Sequence, residues 1–88
     1  SGGFVEGELV FSEKNVLVLP IDCIINTFDN KKIVYVIQDN ISTKKEVTTG
    51  LEYRGKVEIL SGIKQNDIVA YQGQELLTEG MKVNIVEE

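Results

Sequence analysis

A chain of 88 residues is long enough for one small domain, which buries only roughly 60 to 70% of the surface its unfolded chain exposes, so modest stability is expected. Fourteen acidic against nine basic side chains leave a formal net charge of −5. That balance argues against nucleic acid, where phosphate binding needs clustered Lys and Arg, and against adsorption to anionic headgroups. Without histidine, and with Cys23 as its one cysteine, the chain excludes a nucleophile-His-acid triad, His-based zinc or copper sites and an internal disulfide.

Apolar residues alternate or run in short blocks throughout, and no window of helical length holds a 3.6-residue period, so the chain reads as mostly β. The first predicted strand covers residues 4–11, with Val5, Leu9 and Phe11 on one face and Glu6 and Glu8 on the other. Residues 12–15 read as a turn. Residues 16–19 form an apolar block closed by Pro20, which cannot donate to a ladder. Residues 21–25 are turn-like or a second strand, and residues 26–32 suit a loop, polar apart from Phe28.

Residues 33–37, all β-branched or aromatic, are the strongest strand signal and match a buried strand in length. Asp39-Asn40 reads as a two-residue hairpin turn, since both residues tolerate the positive φ of a type I′ turn. Its partner strand spans residues 41–48, with Ser42, Lys44 and Glu46 on a solvated face. Gly50, Gly55, Gly62, Gly73 and Gly80 then read as turn markers dividing the remainder into strands at 56–60, 68–71 and 81–86. Short strands between regular turns indicate a small antiparallel β-barrel or sandwich.

The residues of 57–70, with Gly73, Leu76 and 80–83 close behind, give strand, tight turn, apolar plug, second turn and strand. Together with the block ending at Pro20, Cys23, the hairpin at 33–41 and Val47 with Gly50, this order resembles the C-terminal, membrane-proximal domain of periplasmic adaptors, the membrane fusion proteins of tripartite efflux pumps. Asn66 and Asn40 stand where that family favours glycine, and both keep the turn chemistry. Cys23 stands where it favours alanine.

The resemblance implies that residues 1–11 are the last strand of an adjacent β-barrel domain or a junction, and that residues 12–88 are the membrane-proximal β domain. It implies a non-enzymatic, cofactor-free, periplasmic role in a multidrug efflux system, with the parent anchored to the inner membrane and homo-oligomeric. The implied partners are an inner-membrane transporter, of the resistance-nodulation-division (RND) class in preference to the ABC class, and an outer-membrane exit duct reached through other domains of the parent. A strand from the parent's N-terminus is expected to complete the sheet, so an exposed edge is expected here. The competing readings are a freestanding β-barrel binding module and a biotinyl or lipoyl carrier domain. Against the carrier, only residues 83–88 follow Lys82, too few for a second half-barrel, and Met81, Val83 and Ile85 alternate as one face of a terminal strand with Lys82 facing solvent.

No run approaches the roughly 20 apolar residues of a membrane span, and Ser1-Gly2-Gly3 has no signal-peptide pattern. The expectation is therefore either a soluble protein or a piece whose targeting segments lie outside it. Asp67 is expected to cap its own turn, and the pairs Asp22 with Asp29 and Asp67 with Glu79 have no context marking them as acid and base. Cys23 is expected to be buried and unreactive. Exposed aromatics and arginine are the side chains most often found as interface anchors. Tyr53 and Arg54, side by side on a loop, and more weakly Phe28, are accordingly the candidate transporter contacts.

Overall fold

Successive side chains of a β-strand point to opposite faces, so a strand that is apolar throughout needs cover on both sides. In the computed structural model, which describes residues 3–13 and 16–86, the apolar run lies in β5, Lys32–Gln38, and every residue from 33 to 37 is buried. Around it run β1 (Gly3–Leu9), β2 (Phe11–Glu13), β3 (Val16–Pro20), β4 (Ile25–Asn26), β6 (Ile41–Glu46), β7 (Thr48–Tyr53), β8 (Lys56–Ser61), β9 (Ile68–Gln72) and β10 (Val83–Val86). Two 3₁₀ turns, Ile21–Cys23 and Gln74–Leu76, complete the regular structure of the described residues.

One sheet has the order β10-β1-β9-β5-β4, with β6 also paired to β5; the other is β2-β3-β8-β7. All of these pairs are antiparallel except β1 with β10. The larger sheet curls until β6 meets the approach to β10. Ile41 bridges Lys82, the Val83 N–H donates to the Asn40 carbonyl at 2.8 Å, and the Ser42 N–H donates to the Met81 carbonyl at 2.8 Å. The result is the small all-β barrel-like sandwich expected. Among the described residues no strand ladders the outer edge of β10 beyond Val83.

Alternation along β5 divides the interior in two. Val34 and Val36 join Val69 of β9 and Leu19, Val57 and Ile59 of the smaller sheet in a core between the sheets. Ile33, Tyr35 and Ile37 join Val5, Ala70, Leu77 and Val83 in a second core inside the curl. Met81 and Ile85 pack against that second core with Val83, as the expected alternation of the last strand requires, and Lys82 faces solvent.

The turn chemistry follows the sequence closely. Asp39 and Asn40 both have positive φ, 55° and 61°, at the β5–β6 turn, and Asn66 takes φ 76° in place of a glycine. Asp67 accepts the Lys64 N–H on Oδ2 at 3.0 Å, capping its own turn. Ile63 packs against the first core as the plug between the two turns.

Several expectations need correction. Residues 4–11 are not one strand: a register shift at Glu6/Gly7 and a break after Leu9 turn the chain, and Val10 is fully buried, its N–H donating to the Asp67 carbonyl. The facing expected for Leu9 and Phe11 concerns side chains outside those described, as do Lys14 and Asn15 of the expected 12–15 turn, whereas Ser12 and Glu13 belong to β2. β1 itself pairs with β9 on one side and β10 on the other. Ser42 is fully buried instead of solvated, because the curl brings the 78–81 segment over it, and its hydroxyl donates to the Thr78 carbonyl at 2.6 Å. Gly50 is no turn marker but sits within β7.

Gly62 marks the closest approach. At φ 111°, a Cβ there would lie 2.3 Å from the Glu46 carbonyl oxygen and 2.9 Å from Val47 Cγ1. Gly55, at φ 79°, has open space around its missing Cβ. Gly55→Ala is therefore expected to cost only left-handed backbone strain, about 1 kcal/mol, and Gly62→Ala about 3 kcal/mol or more. Urea midpoints at unchanged slope measure both; equal losses would show that the approach at Gly62 is not structural.

Candidate functional site

The β7–β8 hairpin presents the first pair of candidates. Tyr53 and Lys56 are its last cross-strand pair, leaving a two-residue turn of Arg54 and Gly55 with φ 53° and 79°, the positive values of a type I′ turn. Tyr53 therefore ends a strand, not a loop as expected. The Gly55 carbonyl accepts the Ile21 N–H at 2.9 Å, tying the hairpin tip to the first 3₁₀ turn. Arg54 Cζ lies 5.2 Å from the centre of the Tyr53 ring, within cation–π range. Tyr53 is 71% exposed, so it does not serve as a cover for the core.

Beside Tyr53 a dent of about 160 Å³ is lined by Val18, Lys56, Val57 and Glu58. Leu51 and Leu60 are also exposed on these strands. Neither was anticipated from sequence. Leu60 was findable, since alternation from the buried Val57 and Ile59 turns it outward. Leu51 was not, because register shifts between Thr49 and Glu52 break the alternation in β7.

Phe28 lies elsewhere, on the connection between β4 and β5 in the larger sheet. The Thr27 N–H donates to the Lys31 carbonyl at 2.8 Å, the Asn30 N–H donates to the Thr27 carbonyl at 3.1 Å, and Asn30 takes φ 64°. The Thr27 hydroxyl accepts the Lys31 N–H at 3.0 Å and donates to the Asp29 carboxylate, which holds the Asp29 carboxyl below its usual range. Phe28 projects from this turn completely exposed. Tyr53 with Arg54 and Phe28 thus stand on separate hairpins of different sheets.

The remaining polar groups have structural tasks. Glu79 Oε2 accepts the Lys44 N–H at 2.9 Å, Glu58 Oε1 accepts the Leu51 N–H at 3.0 Å, and the buried Gln74 amide donates to the Asp22 carbonyl. Among the described residues no three His, Cys, Asp or Glu side chains are grouped to hold a metal ion, and no helix is long and apolar enough to cross a membrane. Cys23 is fully buried in the first core, and its thiol is pushed up to about 12 by desolvation first, then by the charges of Glu8 and Asp22.

Comparison with known proteins assigns the family of the domain that carries these side chains. Residues 16–85 match the family model described as the YknX C-terminal permuted SH3-like domain. The chain belongs to this family. Multidrug resistance protein MdtA of Cronobacter turicensis is 32% identical over 79 residues, covering 90% of this chain and 19% of that protein. MdtA of Escherichia coli K12 is 34% identical over the same length and shares. The chain thus spans about a fifth of the length of the curated relatives it matches. As a YknX-type C-terminal domain it is the efflux-adaptor domain that the order of its turns and strands resembles.

The raised thiol pKa has a consequence for stability. Unfolding frees Cys23 to ionise near 9.0, the ordinary value of the thiol, whereas the folded thiol holds its proton to about 12. Its contribution is fully present below pH 9 and is lost as pH rises from 9 towards 12, because only the unfolded state releases the proton there. Cys23→Ala is expected to flatten that part of the stability–pH curve, at a cost near pH 7 of about 1 kcal/mol or less. Cys23→Trp should overpack the site. Rapid labelling of the native protein by a thiol reagent at pH 8 would contradict the burial.

Proposed function

We propose that this chain is the membrane-proximal domain of a non-enzymatic periplasmic adaptor in a tripartite multidrug efflux system, and that it docks on the inner-membrane transporter. The observation that carries this reading is the family match over residues 16–85, joined by relatives named for multidrug resistance. The parent would be homo-oligomeric, anchored to the inner membrane, and in contact with an outer-membrane exit duct through its other domains. An RND transporter is the favoured partner, with the ABC class as the alternative. Residues 1–11 would arrive from an adjacent β-barrel domain or a junction, bringing β1 into the larger sheet. The open edge of β10 beyond Val83 is where a strand from elsewhere in the parent could add.

Docking of this kind needs few anchoring side chains on a shape-complementary surface. Tyr53 and Arg54 meet that need: both are exposed, they stack on one another, and the backbone beneath them is pinned by the Ile21–Gly55 bond. Phe28 is the further candidate.

Tyr53→Ala and Arg54→Glu in the full-length adaptor are expected to leave the domain's unfolding within about 0.5 kcal/mol, as exposed substitutions usually do. Drug efflux should fall in both. Normal efflux in both variants would remove this hairpin from the interface, and equal loss of folding and efflux would make its role structural.

A further inference from the structure

Among the exposed apolar side chains, Phe28 differs in kind from the others. Its relative accessibility is 105%, against 71% for Tyr53 and 76% for Leu51, so the ring covers no part of the domain on which it stands. The turn beneath it is nonetheless held closely, by both Thr27–Lys31 bonds, by the Asn30–Thr27 bond, by the Thr27–Asp29 contact, and by Lys32 Nζ donating to Asn26 Oδ1 at 2.7 Å. An apolar ring fully in water on a rigid polar turn is a knob without a hole. Fixing its position in advance removes an ordering cost from binding, and that advantage exists only if the receiving site has a defined shape.

We propose that the Thr27–Lys31 turn is a pedestal that seats Phe28 in an apolar pocket on a protein partner, with Phe28 as the principal anchor and Thr27 as its positioning residue. The inference rests on the docking reading above for the identity of that partner, the transporter. A fluid lipid surface gains nothing from a fixed ring orientation. A second copy of this chain would have to receive the ring in the dent of about 160 Å³ beside Tyr53, and that occupant is read out separately as self-association.

The test uses the full-length adaptor and the transporter encoded beside it, the latter in lipid nanodiscs, with affinity measured for Phe28→Ala, Thr27→Val, Tyr53→Ala and Arg54→Glu. The expected result is a loss of at least roughly tenfold for Phe28→Ala with unchanged thermal unfolding. Thr27→Val, with Phe28 intact, should lose about threefold and show faster amide exchange across residues 28–31, a loosening that a purely structural role for Phe28 would not tie to affinity. Phe28→Ala within threefold of the parent, with Tyr53→Ala or Arg54→Glu strongly weakened, overturns the anchor and leaves the docking reading standing. Unchanged affinity in all four variants overturns the anchor and removes both hairpins from the interface, and no measurable binding of the unmodified adaptor to the transporter sinks the docking reading as well. Phe28-dependent binding to empty nanodiscs of phosphatidylethanolamine and phosphatidylglycerol, or Phe28-dependent self-association, overturns the protein pocket in favour of lipid or of a second copy.

Discussion

The two-sided burial of β5 is the constraint from which the architecture follows. A strand with Val34 and Val36 on one face and Ile33, Tyr35 and Ile37 on the other cannot lie against a single layer. One face is covered by a second sheet and the other by the curl of its own sheet, and the curl brings β6 up to the segment entering β10. Burying each of these side chains is worth about 1.5 to 3 kcal/mol, which in a chain of 88 residues is a large share of the total hydrophobic gain. Closure then fixes details far from β5: Ser42 is buried because the sheet has no open edge left for it, and its hydroxyl must find the Thr78 carbonyl.

What the sequence disclosed depended on whether a residue's reason was local. Asp39-Asn40 and Asn66 adopt positive φ, and Asp67 bonds within its own turn, so the identity of those residues carried their conformation. The apolar run of β5 and the alternation of Met81, Val83 and Ile85 were legible for the same reason. Gly50 was misleading because its reason is not local. It lies in the middle of β7, where a Cβ would meet Glu58 Cβ and Leu60 Cδ2 of the neighbouring strand at 3.3 Å, so its setting is cross-strand and not a turn. Val10 and Ser42 were misplaced likewise, since periodicity assumes an unbroken strand and an open sheet, and both assumptions fail where the chain bends and the sheet closes.

The candidate site was legible as residue types and not as a ranking. Aromatic and arginine side chains in polar surroundings could be picked from the sequence, but whether an aromatic covers a core edge or stands free is a property of the packed molecule. Tyr53 remains partly sheltered beside Val18 and Lys56, whereas Phe28 is sheltered by nothing. The stacking of Arg54 on Tyr53 follows from the two-residue turn. An exposed cation–π pair of this kind is worth about 0.5 to 1 kcal/mol, enough to bias the arginine's direction and too little to matter to folding.

Stability and recognition are consequently carried by different atoms. The core side chains hold the sheets, while hydrogen bonds that do not involve the side chains of Tyr53, Arg54 or Phe28 hold the two hairpin tips in place. The Gly55 carbonyl and the Ile21 N–H fix one tip, and the Thr27 and Lys31 main chains fix the other. Because neither tip's side chain is needed for folding, each could vary with the partner while the frame stays constant. A domain of this size has little stability to spare, so placing recognition on residues whose loss leaves the core intact is the arrangement under which a binding surface can change without unfolding the protein that bears it. Among the described residues the buried side-chain nitrogen and oxygen atoms all have hydrogen-bond partners, and the bonds of Ser42 and Gln74 serve the frame.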